Sequence, residues 1–347
     1  MSVTIKDIAK AAGVSHPTVS RALNDNPAIS VKTIKRIKHL ADQMGYIPSA
    51  TARGLKTSRT FALGVITSFI EDPFWSEVLQ GVDDILHPAG YSLFIAATHR
   101  DVQREKEVVQ AMVQRGVDGV ILLAPQFSPK QCHTLQTYGL PMAMVNNEGA
   151  GECQCLIFND DIYGIRQITA HLVQLGHSRI AYLGNRDGGL TNRNRQAGFS
   201  AEMAASGLNI PEEYLYQTSG GNPAGGLEGA QYLLGLEPKP TAIVCYNDYM
   251  AVGVYNGISG AGLSIPGDVS VTGFDDINMS AFLTPPLTTL RQCKYELGVG
   301  AARMMLEMLT TAQNDPCESL PAVRKIKMEG ELLIRSSTAP PPSEQTG

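Results

Sequence analysis

Short apolar runs alternate with amphipathic stretches from residue 61 onward, and this alternation limits the possible folds more than any other feature of the sequence. The apolar runs predict strands at 62–68, 91–98, 117–125, 141–147, 179–185, 213–217, 241–247 and 269–275. Helical periodicity covers the stretches between them, at 73–90, 102–114, 129–138, 162–175, 193–206, 225–236 and 249–261. Such alternation is typical of a parallel sheet covered by helices on both faces. Because the cycle restarts after residue 147, we predict two successive doubly wound units.

The first sixty residues have a different pattern, which predicts three short helices. In the stretch 4–24, TIKDIAKAAGVSHPTVSRALN, Gly13 is placed to end one helix and Ser15 to cap the next, with Pro17 in its first turn. Ser30 is placed to cap a third helix. Two short helices joined by a turn that contains glycine form a helix-turn-helix, whose second helix enters the major groove of DNA.

The charge is strongly polarised along the chain. Residues 1–60 hold ten Lys and Arg against three Asp and Glu, a net charge of +7. The remaining residues hold 18 basic against 30 acidic side chains, a net charge of −12. A basic head and an acidic body are the asymmetry expected of a DNA-binding protein. The alternative is a helical hairpin with a solvated basic face.

The head and the segment after it resemble a known family. TIKDIAKAAGVSHPTVSRALN, followed by GYIPSATARGLKT at 45–57, is similar to the DNA-binding head and hinge of the LacI/GalR (lactose-repressor) family of bacterial transcription regulators. The resemblance covers nearly all 347 residues. It implies a small all-α helix-turn-helix head joined to an α/β two-lobed body like the periplasmic binding proteins. The segments that it implies are a head at 1–46, a hinge at 47–60, a first lobe at 61–162 plus 293–322, a second lobe at 163–292 plus 323–338, and a disordered tail at 339–347.

The resemblance also implies the residues that contact operator DNA and the way two copies act together. They are Thr4, Ser15, His16, Pro17, Thr18, Ser20, Arg21 and Asn24 in the head, and Ala52, Arg53 and Leu55 in the hinge. Leu55 is then an apolar wedge in the minor groove, formed when two hinges pair, or alternatively it packs on the body. The tail lacks a leucine heptad, so we expect a homodimer.

Ligands of open parallel sheets bind beyond the carboxyl ends of the strands, and a second group of candidate residues lies there. The resemblance places a small-molecule effector, a sugar or a sugar derivative, against Phe74, Trp75, Thr191, Arg195, Asn247 and Asp275. The alternatives are that Phe74 and Trp75 plug the first lobe and that Arg195 is a solvated surface residue. Asn159 and Asp160 are weaker candidates, and Asp248 and Asp276 are predicted to cap helices. One departure is Gly221, at a position where many members carry an aromatic side chain.

No sequence feature favours catalysis. The chain lacks the nucleophile, phosphate-binding and dinucleotide motifs at its strand–helix junctions, and its seven histidines lack metal-ligand spacing. His171 and His177 are instead predicted to bond backbone carbonyl groups. The six scattered cysteines fit a reducing compartment. We therefore predict a cytoplasmic, nucleoid-associated repressor without enzymatic activity, metal, cofactor or membrane segment. The alternative is a solute receptor or sugar-processing protein whose basic head does not read an operator.

Overall fold

The computed structural model describes residues 3–46, 59–123, 129–146, 155–314 and 324–343. The chain divides into two compact units, 1–60 and 61–347. Three of the predicted DNA-binding residues, Ala52, Arg53 and Leu55, lie outside the described residues.

The first unit contains three helices, α1 (Ile5–Ala12), α2 (His16–Leu23) and α3 (Val31–Gln43). Gly13 follows α1 with a φ of 64°, a left-handed conformation that glycine adopts without steric cost. The Ser15 hydroxyl accepts a hydrogen bond from the Thr18 N–H at 3.3 Å and so caps α2. The three helices share one small core of Ile8, Ala9, Ala12, Val19, Ala22, Ile37 and Ala41. The predicted helix-turn-helix head is therefore confirmed.

The first lobe of the second unit is built on a six-stranded parallel sheet. Its strands lie in the order β11 (Arg324–Met328), β5 (Cys155–Asn159), β4 (Met142–Val145), β3 (Gly119–Leu123), β1 (Ala62–Thr67) and β2 (Ser92–Ala97). The helices of this lobe are α4 (Phe74–Leu86), α5 (Val102–Arg115), α6 (Pro129–Thr137) and α11 (Lys294–Asn314). One apolar core packs against α4 and α11, and another against α5 and α6. The sheet is therefore covered on both faces, as predicted.

The second lobe repeats this plan with four parallel strands. They lie in the order β7 (Leu215–Thr218), β6 (Ile180–Asn185), β8 (Ala242–Cys245) and β9 (Ser270–Thr272). The helices of this lobe are α7 (Asp161–Gln174), α8 (Gly189–Ala205), α9 (Pro223–Leu234) and α10 (Asp248–Gly260), with 3-10 turns at Glu212–Tyr214 and Asn278–Ala281. Two apolar cores again flank the sheet. The predicted two-lobed α/β body is confirmed.

The last strands differ from the prediction, which placed 323–338 wholly in the second lobe. β11 pairs in parallel with β5 and so belongs to the first-lobe sheet. The chain then turns at Gly330, and β12 (Glu331–Leu333) pairs antiparallel with β10 (Thr289–Arg291). A Cβ atom on Gly330 would lie 2.6 Å from the backbone oxygen of Arg291. This close approach requires glycine, and the turn at Gly330 separates β11 from β12.

The predicted disordered tail at 339–347 is wrong at its start. The Ser337 hydroxyl donates to the Val271 carbonyl oxygen at 2.6 Å and accepts from the Thr288 N–H at 2.7 Å. The Ala339 N–H donates to the Ser270 hydroxyl at 3.1 Å. These bonds tie the tail to the edge of the second lobe, although its composition is typical of a linker. Residues 344–347 lie outside the described residues.

Two histidines hold the same segment. The His177 ring shares hydrogen bonds of 2.8 Å with the Ala339 carbonyl oxygen and with the Thr241 hydroxyl, which confirms the predicted carbonyl bond. His171 bonds the Thr338 hydroxyl at 3.0 Å rather than a carbonyl group, so that prediction is wrong. Burial lowers the pKa of both imidazoles. Burial therefore favours the neutral form of both rings in the folded protein.

Mild acid is expected to destabilise the chain through His177. The unfolded state takes up the proton near its ordinary pKa of about 6.5, whereas the buried ring resists it, so stability is lost as the pH falls below that value. Urea denaturation at about pH 7.5 and about pH 5.5 measures this loss, and the His177→Gln variant should lose less stability than the wild type between the two conditions. An equal loss in the two proteins would contradict the assignment.

Candidate functional site

Helix α2 presents a polar outer surface. Val19 and Ala22 are buried in the head core, whereas His16, Pro17 and Arg21 are exposed. Thr18 and Ser20 are half-buried and Asn24 is exposed at the end of the helix. This side of α2 is therefore free of the core and has a cationic group at Arg21.

Three of the residues predicted to contact DNA also hold the helix ends. The Asp7 carboxylate accepts hydrogen bonds from the Thr4 N–H at 2.8 Å and the Thr4 hydroxyl at 2.7 Å. The Ser15 hydroxyl caps α2, and the Asn24 side-chain amide donates to the Ser20 carbonyl oxygen at 2.6 Å. These bonds fix the two ends of the helix pair, so Thr4, Ser15 and Asn24 have structural roles whatever they contact outside.

The six predicted ligand residues line one cavity of about 130 Å³ in the second unit. Phe74 and Trp75 come from the first lobe, at the start of α4. Thr191, Arg195, Asn247 and Asp275 come from the second lobe. Since the remaining lining residues also come from both lobes, the cavity is a cleft between them. Sequence reasoning missed Ser68, Phe69, Glu71, Asp72, Arg100, Asn146, Asn185, Gly220, Asn222, Tyr246, Tyr249 and Gln292, which also line it.

Arg195 is almost fully buried in the cleft, and only 2% of its surface is exposed. Its Nε donates to the Asp161 carboxylate at 2.9 Å, and its Nη1 donates to the Tyr246 carbonyl oxygen at 2.5 Å. Its guanidinium carbon lies 3.8 Å from the centre of the Phe274 ring and 4.8 Å from that of Tyr246. The guanidinium therefore lies close to two aromatic rings, and it is not the solvated surface group of the alternative interpretation.

The charges around Arg195 stabilise its cationic form. Burial alone would lower its pKa, but the carboxylates of Asp161 and Asp275 raise it above its ordinary value. The Asp275 carboxylate lies 3.7 Å from Nη2. Burial raises the pKa of Asp275, and the charge of Arg195 opposes that rise. The site thus places a cation next to a carboxylate whose proton is held more tightly than usual.

The backbone holds Asp275 in an unusual conformation, with a φ of 134°. Its N–H donates to the Leu290 carbonyl oxygen at 2.9 Å, and its own carbonyl oxygen accepts from the Lys294 ammonium at 2.6 Å. The Gln292 side-chain amide donates to its carboxylate. Positive φ at a non-glycine residue persists only where the surroundings fix it, and such residues cluster at functional sites.

The roles predicted for Asn247 and Asp248 are only partly right. Asn247 lines the cleft, but its side chain caps α10 by accepting from the Met250 N–H at 2.8 Å. Asp248 caps no helix, contrary to prediction. It is fully buried, and it accepts from the Ile277 N–H at 2.9 Å and the Ser280 hydroxyl at 2.6 Å. The capping role predicted for Asp248 therefore falls to Asn247, and Asp248 does not line the cleft.

Asp276 is likewise not a cap. It pairs with Arg291 at 2.9 Å and with Arg335 at 2.6 Å. Burial alone would raise the pKa of Asp276, but hydrogen bonds from the two arginines lower it below its usual range. The weaker candidates are also structural, since Asn159 bonds Gln292 and Asp160 caps α7 and pairs with Lys327 at 2.6 Å.

Phe74 and Trp75 of the first lobe fit both interpretations, since they fill the lobe and also line the cleft. Their ring centres lie 4.8 Å apart in an edge-to-face arrangement, and 5% of Phe74 and 6% of Trp75 is exposed. They belong to the core against α4 and α11 and also line the cleft. Each ring thus plugs the lobe with most of its surface and leaves a small part accessible to a ligand.

Some of the missed residues carried a signal in the sequence. Asn185 and Tyr246 lie at the carboxyl ends of β6 and β8, where the strand rule alone predicts ligand contacts. Gln292 and Arg100 gave no such signal, because long-range packing brings them to the cleft. Within the described residues, no cluster of three His, Cys, Asp or Glu could hold a metal ion, and no helix is long and apolar enough to cross a membrane.

Two family models match the chain. Residues 4–49 match bacterial regulatory proteins of the lacI family, and residues 169–338 match a periplasmic binding protein-like domain. The HTH-type transcriptional repressor PurR of Glaesserella parasuis serovar 5 is 33% identical over 337 residues, and that of Actinobacillus pleuropneumoniae serotype 3 is 32% identical over 334. Each alignment covers 96% of this chain and 98% of the relative.

Solved structures share the fold over most of the chain. The Lac repressor dimer bound to operator and the anti-inducer ONPF superposes with a TM-score of 0.84 at 25% identity, covering 98% of this chain and 100% of that one. The regulator CelR in complex with cellobiose gives 0.72 at 25% identity, covering 96% and 99%. A LacI family regulator from Enterococcus faecium with bound ribose gives 0.70 at 26% identity, covering 80% and 99%.

Proposed function

Because this chain belongs to the LacI family of bacterial regulatory proteins and is a DNA-binding transcriptional repressor, we propose that a small molecule held between its two lobes controls its affinity for one operator sequence. The observation that carries the proposal is the occurrence, in one chain, of an exposed polar recognition helix and a cleft lined by charged, amide and aromatic side chains. Differential affinity of the small molecule for two states of the body then shifts the population that binds DNA.

The DNA contacts are assigned to the exposed side of α2. His16, Thr18, Ser20 and Arg21 reach base edges or phosphates, and Pro17, which has no N–H, reads shape or a thymine methyl group. In the hinge, Leu55 acts as a minor-groove wedge beside Ala52 and Arg53. The net charge of +7 in residues 1–60 supports binding to a polyanion.

The Arg21→Ala variant tests the recognition surface. If Arg21 contacts a base, operator affinity is expected to fall by about 1–3 kcal/mol, roughly 5- to 150-fold, with a much smaller loss on random DNA. Fluorescence anisotropy with labelled duplexes at fixed salt measures both losses. Arg303→Ala, which removes an exposed arginine of α11 in the body, is the matched control and should bind as the wild type does. Unchanged operator affinity in Arg21→Ala would refute the assignment.

For the small molecule, we propose a sugar or a sugar derivative. Asn185, Asn247 and Asp275 offer hydrogen-bonding groups at the ends of second-lobe strands, and Phe74 and Trp75 offer apolar surface from the other lobe. A cleft rich in hydrogen-bonding groups with some aromatic surface suits a ligand that carries several hydroxyl groups on a compact ring. The ribose and cellobiose complexes of the similar regulators are consistent with this class.

The functional unit is proposed to be a homodimer in the cytoplasm, at the nucleoid. β2 is an edge strand of the first-lobe sheet, with Phe94 39% and Ile95 47% exposed. Unpaired edge strands with apolar side chains favour pairing with another chain, and a two-fold dimer matches a near-palindromic operator. The similar Lac repressor structure is itself a dimer on its operator.

A further inference from the structure

The loop after β7 carries no aromatic side chain at Gly221, yet the Tyr246 ring lies close beside that position. A Cβ atom on Gly221 would lie 3.0 Å from Cε1 and 3.1 Å from Cδ1 of Tyr246. On the opposite edge of the same ring, a Cβ atom on Gly188 would lie 3.1 Å from Cε2. The Tyr246 ring therefore lies between two glycines, and a larger side chain at either position would displace it.

One face of the Tyr246 ring is also occupied. The guanidinium of Arg195 lies over it at 4.8 Å, and it is held there by Asp161 on one side and by the Tyr246 carbonyl oxygen on the other. Tyr246 is nevertheless only partly buried and lines the cleft. Since the two glycines approach both edges and the guanidinium approaches one face, a ligand in the cleft has only the second face of the ring to pack on.

We propose that Tyr246 is the stacking surface of the cleft and determines which molecules bind there. This inference rests on the proposed function, and it deepens it by assigning a residue that takes the place of the missing aromatic at Gly221. The ligand class is a neutral molecule with a ring, whose flat face packs on Tyr246 and whose edge carries hydroxyl or N–H groups. Phe74 and Trp75 supply apolar surface from the opposite lobe.

The charges of the cleft favour a neutral ligand. Glu71, Asp72 and Asp275 supply three carboxyl groups, against the guanidinium groups of Arg100 and Arg195. Arg195 is already paired with Asp161 outside this set. A free anion would therefore meet no net positive charge in the cleft, whereas a neutral ring needs none.

The position of the ring also explains how it is kept rigid. A side chain that is held at both edges and on one face loses little further freedom when a ligand covers the second face. Aromatic contacts with such a preorganised ring contribute about 0.5–1.5 kcal/mol beyond the area that they bury, and stacked bases contribute about 1–3 kcal/mol.

The experiment uses the full-length chain and its only tryptophan, Trp75, as a fluorescent reporter in the cleft. D-ribose, cellobiose and adenine are titrated separately, and the tightest of these probes is used for the variants. Tyr246→Ala and Tyr246→Leu are expected to raise the Kd about tenfold, the equivalent of about 1.4 kcal/mol. Tyr246→Phe keeps the ring and should stay within about threefold of the wild type.

A transplanted ring separates stacking from a merely structural role. Gly221→Phe alone should weaken binding, because its ring meets Tyr246, whereas Gly221→Phe combined with Tyr246→Ala should recover affinity. Tyr232→Ala removes an exposed tyrosine that does not line the cleft and serves as the control. Unchanged affinity in Tyr246→Ala and Tyr246→Leu, or an equal loss in Tyr246→Phe, would overturn the inference. Failure of the wild type to bind any of the three probes would overturn it as well. Specific binding of operator DNA is measured separately and tests the repressor function alone.

Discussion

Replacement of Arg195 by alanine is expected to lower the free energy of unfolding by about 3–5 kcal/mol, because it leaves buried carboxylates without their cation. Arg195 is 2% exposed, and Asp161 and Asp275 face its guanidinium at 2.9 and 3.7 Å. Protonation of Asp275, whose pKa is already raised by burial, would offset part of the cost. Urea denaturation near neutral pH measures the change.

Two variants show whether the loss comes from the charge. Arg193→Ala removes an exposed arginine on the same helix, and it should change the free energy of unfolding by less than about 0.5 kcal/mol. Arg195→Met combined with Asp161→Leu replaces the ion pair with apolar groups and should be more stable than Arg195→Ala. If the free energy of unfolding of Arg195→Ala is close to that of the wild type, the buried ion pair does not stabilise the fold as predicted.

The same result changes how effector binding is tested at this position. Since Arg195→Ala perturbs folding, a lost response to the small molecule would not by itself show a contact. Arg195→Lys keeps the charge but not the planar, multiply bonded guanidinium, so it is the better probe of ligand recognition.

Removal of residues 1–60 is expected to abolish operator binding while small-molecule binding remains. Specific binding by such proteins is about 10³–10⁷ times tighter than non-specific binding, and all of that preference should be lost. The deleted segment carries the net charge of +7, whereas the remainder carries −12 and is expected to be repelled by DNA. The remainder is also a compact unit with its own cores, so it should fold alone.

Anisotropy on operator DNA and Trp75 fluorescence measure the two halves of this prediction in the same preparation. The full-length chain is the control for both. The alternative, a solute receptor whose head does not read DNA, predicts no preference for operator over random DNA in either protein. Absence of that preference in the full-length chain would therefore favour the receptor. Operator binding by the fragment would contradict the assignment of DNA recognition to residues 1–60, and loss of probe binding would mean that the cleft needs the head.

Local chemistry allowed the architecture to be predicted from sequence. Gly13, Ser15 and Ser30 mark helix ends through their own backbone conformation or side-chain caps, which depend on only a few neighbouring residues. The alternation of strands and helices reflects burial of the central strands on both faces, and β1, β3, β4 and β5 signal this burial in their own apolar sequences. The position of Arg195 in the cleft followed from the family resemblance rather than from pattern.

The errors arose where distant parts of the chain meet. Asp248 does not cap its helix because it is buried against residues about thirty positions later, Ile277 and Ser280. β11 joins the first lobe through pairing with β5, and Ala339 is fixed by Ser270, neither of which leaves a local trace. The composition and periodicity of a segment report what it can form, but they do not identify its partner.

The most direct test of the account is a selection of genomic fragments by the full-length protein at physiological salt, repeated with increasing amounts of the probe that changes Trp75 fluorescence. The account predicts enrichment of a near-palindromic site bound by two copies, with an affinity at least about 10³ times that for bulk DNA. It also predicts that the probe changes this affinity and leaves binding to bulk DNA unchanged. A protein that stays monomeric and prefers no fragment over bulk DNA, with or without the probe, would contradict it.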